Sequence, residues 1–94
     1  MIISFKCKYT KQIFDGVYTK KFSDAINNAG KRKLDMINAS CSWEDLKVPP
    51  SNHFEHLKGN LDGFCSIRIN QQYRVVFKFE NSNAYDVYID DYHK

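Results

Sequence analysis

The chain has 94 residues, 43% of them apolar and 15% aromatic, which is enough for one domain with a single modest core and too hydrophobic for a disordered chain. Its net charge of +3 is unevenly spread: residues 1–33 carry eight Lys or Arg against two acids, residues 34–63 two against five, and residues 64–94 four against four. No run approaches the roughly 18 apolar residues of a membrane span, and Met1-Ile2-Ile3-Ser4-Phe5-Lys6 lacks the apolar stretch of a signal peptide, so a cytoplasmic protein with no membrane partner is expected.

The basic first third reads either as ordinary solvated surface or as a patch that draws in nucleic acid. Cys7, Cys41 and Cys65 are odd in number and form no CxxC pair, so they read as free thiols.

Ile2 to Phe5 is a plausible short strand. Residues 6–22 alternate Lys with aromatic residues and read equally as a helical turn or an irregular segment. Ser23 is an N-cap with Asp24 in the first turn, opening a helix to about Ala39. At 100° per residue Phe22, Ala25, Ile26, Ala29, Met36, Ile37 and Ala39 share its apolar side, and Asn27, Asn28, Lys31, Asp35 and Asn38 the polar side. Lys33 intrudes on the apolar side, and Gly30 is a weak point at mid-helix.

Ser42 caps a short turn through Trp43 to Leu46, and Pro49-Pro50 ends regular structure. Ser51 to Gly63 reads as a polar connector. Three strands follow, near residues 64–69, 73–80 and 84–90. Their core faces are Cys65, Ile67 and Ile69; Tyr73, Val75, Phe77 and Phe79; and Tyr85, Val87 and Ile89.

Keeping those faces together fixes the register. A turn centred on Gln71 pairs Ile67 with Val75 and sets Arg68 opposite Arg74. A turn centred on Ser82 pairs Phe79 with Tyr85, Phe77 with Val87 and Val75 with Ile89, which sets Lys78 against Asp86 and Arg74 against Asp90. Like charges face to face cost up to about 1 kcal/mol, so the two arginines want an anion. Asp90 is one candidate, giving a salt-bridged sheet face; a phosphate held by guanidinium forks is the other.

The same register carries Tyr92 and His93 past the end of the ladder, next to Arg74, with Asp91 just before them. An imidazole suits general acid or base work at neutral pH, a phenol can hold or donate a proton, and the ammonium of Lys58 would stabilise charge developing on a phosphate. His53 and His56 are three apart, with the potential to face one way on a helical turn, but their spacing matches no metal motif.

The segments Pro49-Pro50-Ser51-Asn52-His53-Phe54-Glu55-His56-Leu57-Lys58-Gly59 and Gly63-Phe64-Cys65-Ser66-Ile67-Arg68-Ile69-Asn70 resemble the HigB branch of the RelE-like toxins. So do Tyr73-Arg74-Val75-Val76-Phe77 and the ending Asp90-Asp91-Tyr92-His93, in the family's order and spacing. The resemblance implies an α+β fold, a small RelE-like domain with a curved antiparallel β-sheet packed on N-terminal helices. It implies the toxin of a type II toxin–antitoxin system, an endoribonuclease that needs no metal or cofactor and cuts mRNA in the ribosomal A site. Its partner would be a helix-turn-helix antitoxin (HigA-like), with operator DNA engaged only through the complex.

Lys58, Asp91, Tyr92 and His93 match catalytic positions of the family, and Arg68 and Arg74 match basic sheet positions. Glu55 stands where one branch carries a catalytic His, leaving His53 or His56 as the substitute, and Gln71-Gln72-Tyr73 replaces the Asp-Gln-Trp of many relatives. The alternative use of the scaffold is a catalytically weak or inactive binding module.

Overall fold

The computed structural model describes residues 1–91. Helices α1 (Lys8–Phe14) and α2 (Asp24–Ala39) precede strands β1 (Glu55–His56), β2 (Cys65–Arg68), β3 (Tyr73–Glu80) and β4 (Asn83–Asp91). The strands form one antiparallel sheet in the order β1-β2-β3-β4, an α+β fold as expected. No helix among the described residues is long and apolar enough to cross a membrane.

The N-terminal segment runs parallel to the outer edge of β4 through bridges Ile2–Ala84 and Phe5–Val87. Its backbone bonds include Ile3 N–H to Ala84 O at 2.8 Å and Val87 N–H to Ser4 O at 3.1 Å. Further along that edge the Ile89 N–H donates to Thr10 Oγ1 at 3.0 Å, both groups buried. The donors of the edge strand are therefore spent on the chain itself instead of being offered to another molecule.

That bond also accounts for α1, which sequence alone left unresolved. Thr10 and Ile13, three apart on a seven-residue helix, are its two buried residues, one bonding β4 and one joining the core. Helix α2 starts where expected, with Ser23 Oγ accepting from the Ile26 N–H at 3.3 Å. Ile26, Leu34 and Ile37 carry its core face, while Ala25 and Ala39 are exposed.

Asn27, assigned to the solvent side, is buried. Its Oδ1 accepts from the Thr19 N–H, and its Nδ2 donates to the carbonyls of Thr19, Phe22 and Ser23, so this one amide fixes the approach to the helix. Gly30 does not break α2. It lies against the sheet, where an added Cβ would come 3.3 Å from Ile89 Cδ1.

The β2–β3 register is the expected one, with Ile67 opposite Val75 and Arg68 opposite Arg74. In the β3–β4 hairpin Val75–Ile89 and Arg74–Asp90 also pair as expected, but Phe79 meets Ala84 and Lys78 meets Tyr85. The assumed Phe79–Tyr85 and Lys78–Asp86 pairs are not formed. The turn is the two-residue Asn81-Ser82, both at positive φ (53° and 67°), the geometry that matches strand twist in tight hairpins. One extra residue is then absorbed by a bulge at Asp86, itself at φ 54°. The bulge puts Ala84 in the core in place of Tyr85 and restores Val87 and Ile89 to the buried face.

The polar connector also differs from expectation, because it contributes β1, with Glu55 opposite Ser66 and His56 opposite Cys65. Two residues are too few for a periodicity to reveal a strand.

Candidate functional site

Asn52 is fully buried at the end of a 3₁₀ turn, Pro50–Asn52. Its Nδ2 donates to Leu46 O at 3.1 Å, and its Oδ1 accepts from Lys33 Nζ at 2.6 Å. The lysine that intruded on the apolar side of α2 thus holds the loop; burial and then Arg32 lower its pKa. His53 follows at once in a left-handed conformation, φ 46°, which turns the chain out of the turn and into β1.

His53, Glu55, Ser66, Arg68 and Arg74 line a small open pocket on the face of the sheet away from the helices. Its accessible space is about 50 Å³, several waters' worth and suited to a group the size of a phosphate rather than a nucleotide. Cross-strand register assembles it: Glu55 lies across from Ser66, and Arg68 from Arg74.

Arg74 is anchored by Asp90, with both Nε and Nη2 at 3.2 Å from Asp90 Oδ2 and both side chains largely sheltered. Among the described residues Arg68 makes no ion pair. Asp90 therefore supplies one anion for two facing guanidiniums, and Glu55 is a second carboxylate at the rim.

The predicted site residues divide. Arg68, Arg74 and His53 are brought together, and Glu55 joins them. His56 goes to the other side of β1, edge-on to Trp43 at 4.7 Å and to Phe54 at 5.1 Å between ring centroids. The two histidines do not share a helical face, because an extended strand sends Glu55 and His56 in opposite directions.

Lys58 is exposed at the start of a 3₁₀ turn, Gly59–Leu61, and does not line the pocket. Asp91 closes β4 opposite Tyr73 and accepts from Gln72 Nε2 at 2.9 Å. Asn70 Oδ1 shapes that turn by accepting from the N–H groups of Gln72 and Tyr73, both at 2.8 Å. Tyr92 and His93 lie outside the described residues.

Ser66, which lines the pocket, was given no role from sequence, and Gln72 entered only in the Gln71-Gln72-Tyr73 departure from the family pattern.

The chain matches the family described as the RelE-like toxin of the type II toxin–antitoxin system HigB over residues 3–93. It is 42% identical over 91 residues to Toxin HigB-1 of Vibrio cholerae serotype O1, covering 96% of each chain. It is 31% identical over 99 residues to Endoribonuclease HigB of Proteus vulgaris, covering 99% of this chain and 100% of that one. Its fold resembles a chain of the YoeB–YefM complex from Staphylococcus aureus, with a TM-score of 0.57, 19% identity, and coverage of 93% and 92%. With its sheet face, register and near-complete family match in agreement, the chain belongs to the HigB-like branch of the RelE-like type II toxins.

Proposed function

We propose that this toxin is a ribosome-dependent endoribonuclease that cuts mRNA by attack of a ribose 2′-OH on the adjacent phosphate. The observation that carries the reading is the pocket in which Arg68 and Arg74, opposed in register, meet a carboxylate and an imidazole, Glu55 and His53. Guanidiniums would hold the non-bridging oxygens and stabilise the extra charge of the phosphorane-like transition state. Glu55 or His53 would take the 2′-OH proton as the new O–P bond forms. The bond to the 5′ oxygen then breaks, and His93, two residues past Asp91 in the chain, would return a proton to that oxygen. The products are a 2′,3′-cyclic phosphate and a 5′-OH.

Lys58 would add positive charge from outside the pocket, and Asp91 and Tyr92 would position the terminal imidazole. The mRNA would be met in the ribosomal A site, and a HigA-like helix-turn-helix antitoxin would neutralise the toxin and carry it to operator DNA. The naming of one relative as an endoribonuclease supports RNA cleavage, and the likeness to a chain of a two-protein complex supports a protein partner.

The test is a reconstituted translation reaction with mRNA 5′ ends mapped by primer extension. New ends that need ribosomes, fall at least a hundredfold in Arg74→Ala and His93→Ala, and disappear with a 2′-deoxy nucleotide at the scissile position support the proposal. Cutting of the 2′-deoxy substrate refutes the mechanism. Asp90 on Arg74 favours a second reading, a binding module whose anion site is already filled; a folded wild-type chain that makes no new ends would establish it.

A further inference from the structure

The open sheet face continues beyond the arginine pocket. Arg68, Arg74 and Asp90 form one cross-strand row, and Ser66, Val76 and Tyr88 the next. The alternation of β2 and β3 carries Phe64 and Lys78 to a third. Here lysines lie over aromatic rings: Lys78 Nζ is 5.0 Å from the Phe64 centroid, and Lys6 Nζ is 5.8 Å from Phe64 and 5.4 Å from Tyr88. Both rings are half-buried and both lysines exposed.

Tyr88 links this patch to the pocket. Its phenol pKa is raised by burial and then by Asp90, with Arg74 opposing, so it sits within the field of the Arg74–Asp90 pair. Lys6 arrives from the N-terminal segment docked on β4, whose Lys6 N–H donates to Val87 O at 3.0 Å. Packing does not demand two ammonium groups over one ring on a solvated face. Such contacts are weak when exposed, whereas stacking of a base on an aromatic ring is stronger and tolerant of sequence.

We infer that Phe64 and Tyr88, flanked by Lys6 and Lys78, form a stacking platform for bases of single-stranded RNA next to the phosphate in the arginine pocket. Each row advances about 7 Å along the strands, comparable with one nucleotide step of an extended single strand. Tyr88 thus meets the neighbouring nucleotide and Phe64 the one beyond. As a base slides onto Phe64, the ammonium groups leave the ring for backbone phosphates. This inference takes its substrate from the nuclease reading above but concerns binding rather than bond cleavage.

The experiment measures binding of a fluorescein-labelled single-stranded RNA to the full chain at low salt by anisotropy, in parallel with the cleavage assay. Phe64→Leu keeps apolar bulk without a ring face and is expected to weaken binding about tenfold, while Phe64→Trp retains it. An abasic nucleotide at one position flanking the cut should cost the wild type affinity and cost Phe64→Leu little. Lys6→Gln with Lys78→Gln, on exposed side chains, should flatten the salt dependence of binding by roughly two phosphate contacts.

RNA binding that depends on Phe64 without any cleavage would uphold the platform and refute the nuclease. Cleavage with RNA affinity unchanged in Phe64→Leu and in the double lysine variant would refute the platform alone. Loss of antitoxin binding with RNA affinity untouched would assign this face to the protein partner and overturn the inference.

Discussion

Replacing Asn52 with Ala tests whether the buried amide, rather than the surrounding loop, holds His53 in place. Asn52 loses a charge-assisted bond from Lys33 at 2.6 Å and its own donation to Leu46 O at 3.1 Å. The 3.5 Å approach to Val48 O and the contact with Met36 Sδ add little. A charge-assisted bond contributes about 1.5–3 kcal/mol and a neutral one about 1 kcal/mol. Lys33 is half-buried and recovers some hydration, so the low end applies and the expected loss is about 2.5 kcal/mol. For a chain of this size that lowers Tm by about 10–20 °C. Circular dichroism melts and urea titrations measure it, with an unchanged m-value showing that the denatured state is not the cause. In a double-mutant cycle with Lys33→Met, the two changes should couple by about 1–2 kcal/mol. Below its melting range Asn52→Ala should also cut mRNA more slowly than wild type. A Tm within 4 °C of wild type, a shift worth less than about 1 kcal/mol, or strict additivity with Lys33→Met, would refute the assignment of Asn52 as the anchor of this loop.

The remaining expectations concern the thiols, the bulge and the helix–sheet contact. Burial pushes the Cys65 thiol from 9.0 up to about 12, so at pH 8 a thiol reagent should label exposed Cys41 at once and Cys65 only on unfolding. The unfolded Cys65 thiol ionises first, so stability should fall as pH rises from about 9 toward 12, by at most about 1.4 kcal/mol per pH unit; the alkaline slope should be shallower in Cys65→Ala. At Asp86, φ 54°, Asp86→Val should cost about 2 kcal/mol while Asp86→Gly is neutral or stabilising, the reverse of the order on a regular strand; denaturant titration decides. Gly30→Ala should stabilise by about 0.5 kcal/mol, because the helix gain of about 1 kcal/mol exceeds the cost of moving the Ile89 terminal methyl a few tenths of an ångström. Gly30→Leu should destabilise by about 2 kcal/mol through overpacking, with both read from thermal melts.

What sequence made legible was whatever a periodic pattern controls. Alternation gave the three long strands and one true hairpin register, and with them the Arg68–Arg74–Asp90 row. It failed at Tyr85 because a bulge adds a residue without changing composition; the signal present was Asn81-Ser82, which permits the two-residue turn that forces the compensation. It failed at Asn27, buried through bonds to the segment just before the helix, and it placed Lys33 on the apolar side without reporting the Asn52 amide that receives it there. Glu55 was noticed only as a departure from the family pattern. Its place in the pocket depends on a two-residue strand, and His53 is separated from His56 by that same strand. The pocket was half visible because half of it rests on long strands and half on a loop held by tertiary hydrogen bonds.

The docking of the N-terminal segment on β4 also sets when the sheet can be completed during synthesis. Asp86 N–H donates to Ser4 Oγ across 82 positions of sequence, and Ile89 N–H to Thr10 across 79. The segment that holds Ser4 and Thr10 therefore waits for residues 86–89 before the edge of the sheet is closed. Local helix contacts can form early, but such long-range pairing comes late. A nascent chain still short of β4 lacks the Asp90 carboxylate that anchors Arg74, so the arginine row is held in place only once β4 has joined the sheet.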